Sequence, residues 1–262
     1  MHGSVVEHIL IVLRGRSATH PILVAANRDE RLDRKAAPPG LWVGQQRLLL
    51  SPRDRVAGGT WLAISDHGWF AGITNVAYAP LPKDAATRGD LPHLALDAGD
   101  LDAGERAVAA AIATRRYGGF QLVIASPTQM IVLRYDGTHL QRIDWHDELL
   151  LISNDHAPGQ LTLRGLEQAL AGAAVDAEAQ LERLRTLLLD GGFFGGHAVL
   201  NKGLGYGTVS SSLIAVPASA PHALIWRYAA GAPDQTPYQN YGNLMRRLRE
   251  KSTLPSDRKP QG

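Results

Sequence analysis

The chain of 262 residues contains no cysteine. That absence excludes disulfides, thiolate metal sites and cysteine nucleophiles together. Apolar runs long enough to span a membrane are also missing. The N-terminal run Val5–Leu13 is broken by Glu7 and His8 and followed by Arg14 and Arg16. It lacks the basic start, longer apolar stretch and small-residue cleavage site of a signal peptide. A cytoplasmic protein with no stable membrane insertion is the expectation. An excess of one charge is scarce too, since 27 Lys and Arg against 25 Asp and Glu leave a net charge of +2. Basic residues cluster only modestly, at Arg246, Arg247, Arg249 and Lys251. That cluster reads as a solvated helix face or tail, so no nucleic-acid partner is expected.

What is present is the composition of an ordinary globular protein, 45% hydrophobic and 20% charged. A chain of this length buries one good-sized core, and nothing forces a division. The expected organisation is a single domain over residues 1–250 with a polar tail over 251–262. Val5–Leu13 and Pro21–Ala26 read as a strand hairpin, followed by a charged, Pro- and Gly-containing loop over Asn27–Gly40 and short strand pieces over Leu41–Leu50. Thr60–Ser65 and Trp69–Thr74 flank Asp66-His67-Gly68, a hairpin signal because glycine supplies the positive φ of such turns. Helices are predicted over Asp90–Ala98 and Asp102–Arg115, each opening on an Asp at an N-cap position. Strands return at Phe120–Ser126, Met130–Tyr135, His139–Ile143 and Leu149–Ser153. A second helical pair covers Leu161–Ala174 and Ala177–Leu189. A glycine-rich loop, Gly191–Gly207, leads to strands Thr208–Val216 and Ala223–Tyr228. This order predicts an α+β domain with largely antiparallel sheets and helices on their outer faces. A four-layer αββα sandwich satisfies it, although periodicity alone does not select that over a two-layer arrangement.

Four segments stand out: Asn27-Arg28-Asp29-Glu30, Gly58-Gly59-Thr60-Trp61-Leu62, Thr74-Asn75, and Tyr206-Gly207-Thr208 followed by Ser210–Ser212. Singly, each has a structural reading: a solvated turn, a tight bend, the start of a strand. Together and in this order they resemble the family named for its Asn-Arg-Asp-Glu motif, that of the transport and Golgi organisation 2-like proteins. Arg88-Gly89, Gly119-Phe120 and Ser153-Asn154 support the resemblance, which runs from about Val6 to about Tyr228. The family is similar to N-terminal-nucleophile (Ntn) hydrolases of the penicillin V acylase and bile-salt hydrolase type, which implies the αββα sandwich. In those enzymes an N-terminal cysteine is the nucleophile and its α-amine the base. An Arg and Asp after the second strand, two asparagines at strand ends and a late Arg complete their site. By position, Arg28 and Asp29 resemble the first pair. Asn75 and Asn154 resemble the asparagines that orient substrate or donate to an oxyanion.

The sequence departs from that pattern twice. His8 occupies the cysteine's place, behind seven further residues, and Val209 replaces the arginine of a Tyr-Gly-Thr-Arg-Ser pattern. The two departures together argue against acyl hydrolysis, and no catalytic residue is assigned. No metal-spaced histidine set and no Gly-x-Ser-x-Gly elbow offers a substitute chemistry. The resemblance implies a connection with haem movement or acyl-lipid metabolism without choosing between them. The expectation is a non-catalytic protein handling a small ligand in a cleft formed by His8, Arg28, Asp29, Asn75, Asn154 and Val209. Haem is a candidate cargo, with His8 or His197 as axial ligand and Arg28 as a propionate partner. The alternative is a divergent amidohydrolase with another nucleophile.

Overall fold

The computed structural model describes residues 4–5, 8–161, 166, 170, 176–189, 197–219 and 223–245. Its strands are β1 (Ser4–Val5), β2 (Leu10–Arg14), β3 (Ile22–Arg31), β4 (Ala36–Val43), β5 (Leu48–Asp54), β6 (Leu62–Ser65) and β7 (Phe70–Asn75). Helices α1 (Leu91–Asp97) and α2 (Leu101–Thr114) follow, then β8 (Phe120–Ala125), β9 (Met130–Tyr135), β10 (Leu140–Asp144) and β11 (Leu149–Ile152). Helix α3 (Ala177–Leu189) precedes β12 (His197–Ala198), β13 (Tyr206–Val216), β14 (Ile225–Ala229) and β15 (Gln239–Asn240).

Among the described residues two large sheets form, with every neighbouring pair of strands antiparallel. One has the order β10-β9-β8-β7-β6-β5-β4 and the other β11-β2-β3-β13-β14-β15. Alternation along β2 and β3 splits their apolar side chains between two faces. Leu10, Val12, Ile22 and Val24 pack into a core shared with Leu62, Phe70 and Leu122 of the first sheet. Ile11, Leu13, Leu23 and Ala25 join Leu181, Leu184 and Leu188 of α3. Helices α1 and α2 add Leu91, Ala95 and Val108 to the core of the first sheet, and α1 lies against β5–β8. The result is helices, sheet, sheet, helix: the αββα sandwich.

Helix α2 buries Leu101, Gly104, Val108 and Ala111, a stripe at helical spacing. Its N-cap is Asp100, which accepts from the Ala103 amide; the predicted cap, Asp102, lies inside the first turn and pairs with Arg142. Asp90 sits at the α1 N-cap without a side-chain cap bond, because Arg115 and Tyr117 take its carboxylate. The largest difference from expectation is over Asn27–Gly40. It is not a loop: β3 runs on to Arg31 and β4 begins at Ala36. Charged residues extend the strand because β13 pairs with it from Tyr206 to Val216, opposite Arg31 to Ile22. The predicted glycine-rich loop likewise contains β12, which pairs in parallel with β1, and the start of β13. The helix predicted over Leu161–Ala174 and the tail over 251–262 fall largely or wholly outside the described residues. No helix among the described residues is long and apolar enough to cross a membrane.

Candidate functional site

The Asn-Arg-Asp-Glu segment is divided by the pleat of β3. Asn27 and Asp29 face the layer of α3, where the Asn27 amide donates to the carbonyls of Leu188 and Val199 at 3.0 and 3.1 Å. Arg28 and Glu30 face the space between the sheets and line a cleft of about 390 Å³. Asp29 is fully buried. Its Oδ1 accepts from Thr208 Oγ1 at 2.6 Å and its Oδ2 from the His8 main-chain N–H at 3.2 Å. Tyr206 adds a hydroxyl bond to the Asp29 carbonyl at 3.2 Å. The Tyr-Gly-Thr segment therefore secures Asp29, and Asp29 secures His8.

His8 has φ 53°, the only positive value outside glycine among the described residues. That left-handed conformation costs an ordinary residue roughly 1–2 kcal/mol, so the hydrogen bond to Asp29 and the ring's surroundings must hold it. The ring lines the cleft. Asn154 Nδ2 lies 3.3 Å from His8 Nδ1, and Asn154 Oδ1 accepts from the Asn75 main-chain N–H at 3.0 Å. The Asn75 amide fixes Asn154's oxygen, so its nitrogen must donate to His8, and Nε2 carries the ring proton. Burial first, then the charges of Arg28, Arg88 and Arg34, push the imidazole down to about 3. The ring is neutral at physiological pH and presents an N–H. A metal-ligating histidine has the opposite arrangement, giving its second N–H to an acceptor and its free lone pair to the metal. His8 would have to change tautomer before it ligated iron.

Arg28 is 4% exposed and lies with Cζ 4.2 Å from the centre of the Trp61 ring, at cation–π distance. Its Nη2 donates to Asp54 Oδ2 at 3.0 Å, and Arg34 Nε reaches the same oxygen at 2.8 Å. Glu30 stands 3.8 Å from Arg28 and 3.5 Å from Arg34. Burial lowers the Arg28 pKa against the opposing pull of Asp54 and Glu30, and a guanidinium remains charged throughout. Burial would raise the Asp54 carboxyl, but the amides of Ala57 and Val56 and the Arg34 guanidinium bring it below its ordinary value. Asp54 thus ties the Gly58-Gly59 turn to Arg28. Gly58 has φ +86°, and a Cβ on Gly59 would collide with the backbone of Gly89. The glycine pair allows Thr60 N–H to bond Gly89 O at 2.8 Å, which brings Arg88 to the cleft wall.

The expected residues separate on inspection. His8, Arg28 and Asn75 line the cleft. Asp29 and Asn154 do not; they position His8 from behind. Val209 is also absent from the lining. It is the extra residue of a β-bulge, where Thr208 pairs with Asp29 and Ser210 with Arg28. His197 pairs with Ser4 through β12, and its side chain falls outside the described residues. Sequence reasoning missed Asp54, Arg34 and Lys83 as cleft residues, and used Arg88 only as a marker. Among the described residues no cluster of three or more His, Asp or Glu suits a metal ion.

Residues 9–190 match the family model described as Transport and Golgi organisation 2. The chain is 33% identical over 106 residues to the Transport and Golgi organization protein 2 homolog of Bos taurus, and 32% identical to that of Homo sapiens. Each match covers 40% of this chain and 38% of the relative, so most of each relative's length lies outside it. Among solved structures, a Caenorhabditis elegans N-acylethanolamine-hydrolyzing acid amidase ortholog superposes with a TM-score of 0.51 at 13% identity, over 81% of this chain and 94% of that one. A variant of the conjugated bile acid hydrolase from Clostridium perfringens superposes with a TM-score of 0.50 at 11% identity, over 88% and 92%. At such identities the likeness establishes the Ntn-hydrolase-like fold.

Proposed function

Given that the chain belongs to the Transport and Golgi organisation 2 family, we propose that it is a non-catalytic protein that holds a small ligand in the His8–Arg28 cleft. The observation that carries the reading is the state of His8. Self-activated acyl transfer needs a nucleophilic side chain beside a basic α-amine. His8 offers a peptide N–H already given to Asp29 and a neutral ring whose Nδ1 is occupied by Asn154. The hydroxyls of the described lining are no substitute. Thr60 donates to the Leu62 carbonyl at 2.8 Å, and Thr87 accepts from the Gly89 amide at 3.2 Å. Neither is paired with a base.

Haem is one ligand to be tested. With Nε2 protonated, His8 favours contact with its propionates over ligation of its iron. A Soret band shifted from that of free haem, and altered in His8→Ala, would support iron ligation; a band unchanged from free haem removes haem from consideration. The deciding experiment for the wider reading is a turnover assay on acyl amides and acyl esters with purified protein. No release above the uncatalysed rate is expected. Release that disappears in Arg28→Gln would overturn the proposal in favour of a divergent amidohydrolase. A cytoplasmic location belongs to the same proposal and is checked by fractionating cells that express the full chain.

A further inference from the structure

The charges around the cleft do not balance. Arg28, Arg34, Lys83 and Arg88 line it against two carboxylates, Glu30 and Asp54. Both carboxylates are engaged on one wall, by Arg28 and Arg34. On the facing segment, Arg88 gives Nη1 to the Gly119 carbonyl at 2.9 Å, and no carboxylate lies within ion-pair distance of it among the described residues. Lys83 is exposed and likewise has no ion pair among them. Behind this surface Arg28 Nη1 is buried without an acceptor and adds its charge to the field. The neutral His8 ring contributes an N–H and no counter-charge. The cleft lining is therefore electropositive by about two charges and rich in donors. Apolar side chains share that lining: Trp61 beneath Arg28 and Ile73, each 8% exposed, with Pro82 and Ala86 from the segment that carries Lys83 and Arg88. The volume of about 390 Å³ lies near the lower end of the roughly 300–1,000 Å³ usual for small-molecule sites.

We infer that the ligand is a compact organic acid. Its oxyanion head, a carboxylate or a phosphate, is held by Arg88 and Lys83, and its apolar body lies against Trp61 and Ile73. The assignment rests on the reading of the cleft as a ligand site without turnover. An arginine without a carboxylate at a partly desolvated wall is the group that gains most from a bidentate oxyanion. The adjacent lysine adds a point charge that needs no fixed geometry.

The test compares 3-phenylpropionate, phenyl phosphate and the uncharged 3-phenylpropionamide by calorimetric titration against the full chain. At least one acid is expected to bind at least tenfold more tightly than the amide, and the tighter acid identifies the head group. Arg88→Gln is expected to weaken that acid about tenfold and leave the amide unchanged. Lys83→Gln removes an exposed side chain, so it reports on charge without threatening the fold, and a weakening of about threefold is expected. Equal binding of acid and amide, failure of both acids to bind, or indifference to both substitutions would overturn the assignment. Equal binding would still leave the cleft a ligand site, whereas hydrolysis of the amide with acid preference intact would overturn only the absence of turnover.

Discussion

Two faces of one strand divide the site's labour. On one side of β3, Asn27 and Asp29 are buried and bonded to backbone and to Thr208, holding the chain at His8 in a conformation it would not adopt alone. On the other side, one residue out of step, Arg28 and Glu30 stand among charges that line a cleft. The first face makes little demand on a ligand, since both Asp29 carboxylate oxygens meet donors already in place. The second carries more positive charge than the protein itself compensates. A four-residue motif can therefore be half scaffold and half recognition, and alternation along a strand assigns each residue to its half.

The contrast is broken most severely at Asp29. Asp29→Ala leaves the buried Thr208 hydroxyl and the His8 amide without their acceptor, and a loss of about 3 kcal/mol is expected in urea unfolding. The neighbouring Glu30→Gln should cost about 0.5 kcal/mol, because its ion pairs are longer and partly solvated. Equal losses would dissolve the division. Next comes Asp54→Asn, which deprives the buried Arg28 of its closest counter-charge and is expected to cost about 2 kcal/mol. It should also sharpen the comparison, since the cleft's excess charge rises and acid binding tightens or holds while stability drops.

Per pH unit, a smaller effect follows from the His8 ring. Its native pKa of about 3 lies below the ordinary value near 6.5, so between those values the unfolded chain binds a proton that the native ring refuses. Stability therefore falls as pH is lowered through that window, by at most about 1.4 kcal/mol per pH unit from this ring. His93, pushed down to about 4 by burial, acts in the same direction. His8→Ala should flatten the pH profile measured by urea titration without abolishing it; an unchanged slope would assign the whole effect elsewhere. The smallest expected difference compares His8→Gly with His8→Ala. Glycine accepts φ 53° without strain, so the glycine variant should be about 1 kcal/mol more stable than the alanine variant.

The antiparallel sheets and the hairpin at Gly68 were legible because apolar periodicity and turn glycines specify them locally, whereas the four-layer order came from the family resemblance. The extension of β3 through Arg31 was not. Five consecutive polar or charged residues, Asn27 to Arg31, carry no hydrophobic alternation, and their strand partner is β13, some 180 residues later in the chain. Asp54 was hidden for a similar reason: in Ser51-Pro52-Arg53-Asp54-Arg55 it reads as one more surface charge. Only folding brings it to Arg28 and Arg34. The resemblance to a known family put His8 and Asp29 in one neighbourhood, and a hydrogen bond joins them. It could not indicate that Val209 would leave the cleft wall, because that depends on the pairing register.

The bulge at Val209 behaves as a frameshift in the protein's geometry. Upstream of it Thr208 faces the helix-side layer with Asp29; downstream Ile214 and Val216 have the same even parity and face the core between the sheets. Removing one residue at this point, without compensation, would put the two segments of β13 in conflict. Either Asp29 would lose Thr208 or the core would receive Leu213 and Ala215 in place of Ile214 and Val216. The extra residue lets the site end and the core end of one strand keep separate phases, so each can vary in sequence without dictating the facing of the other.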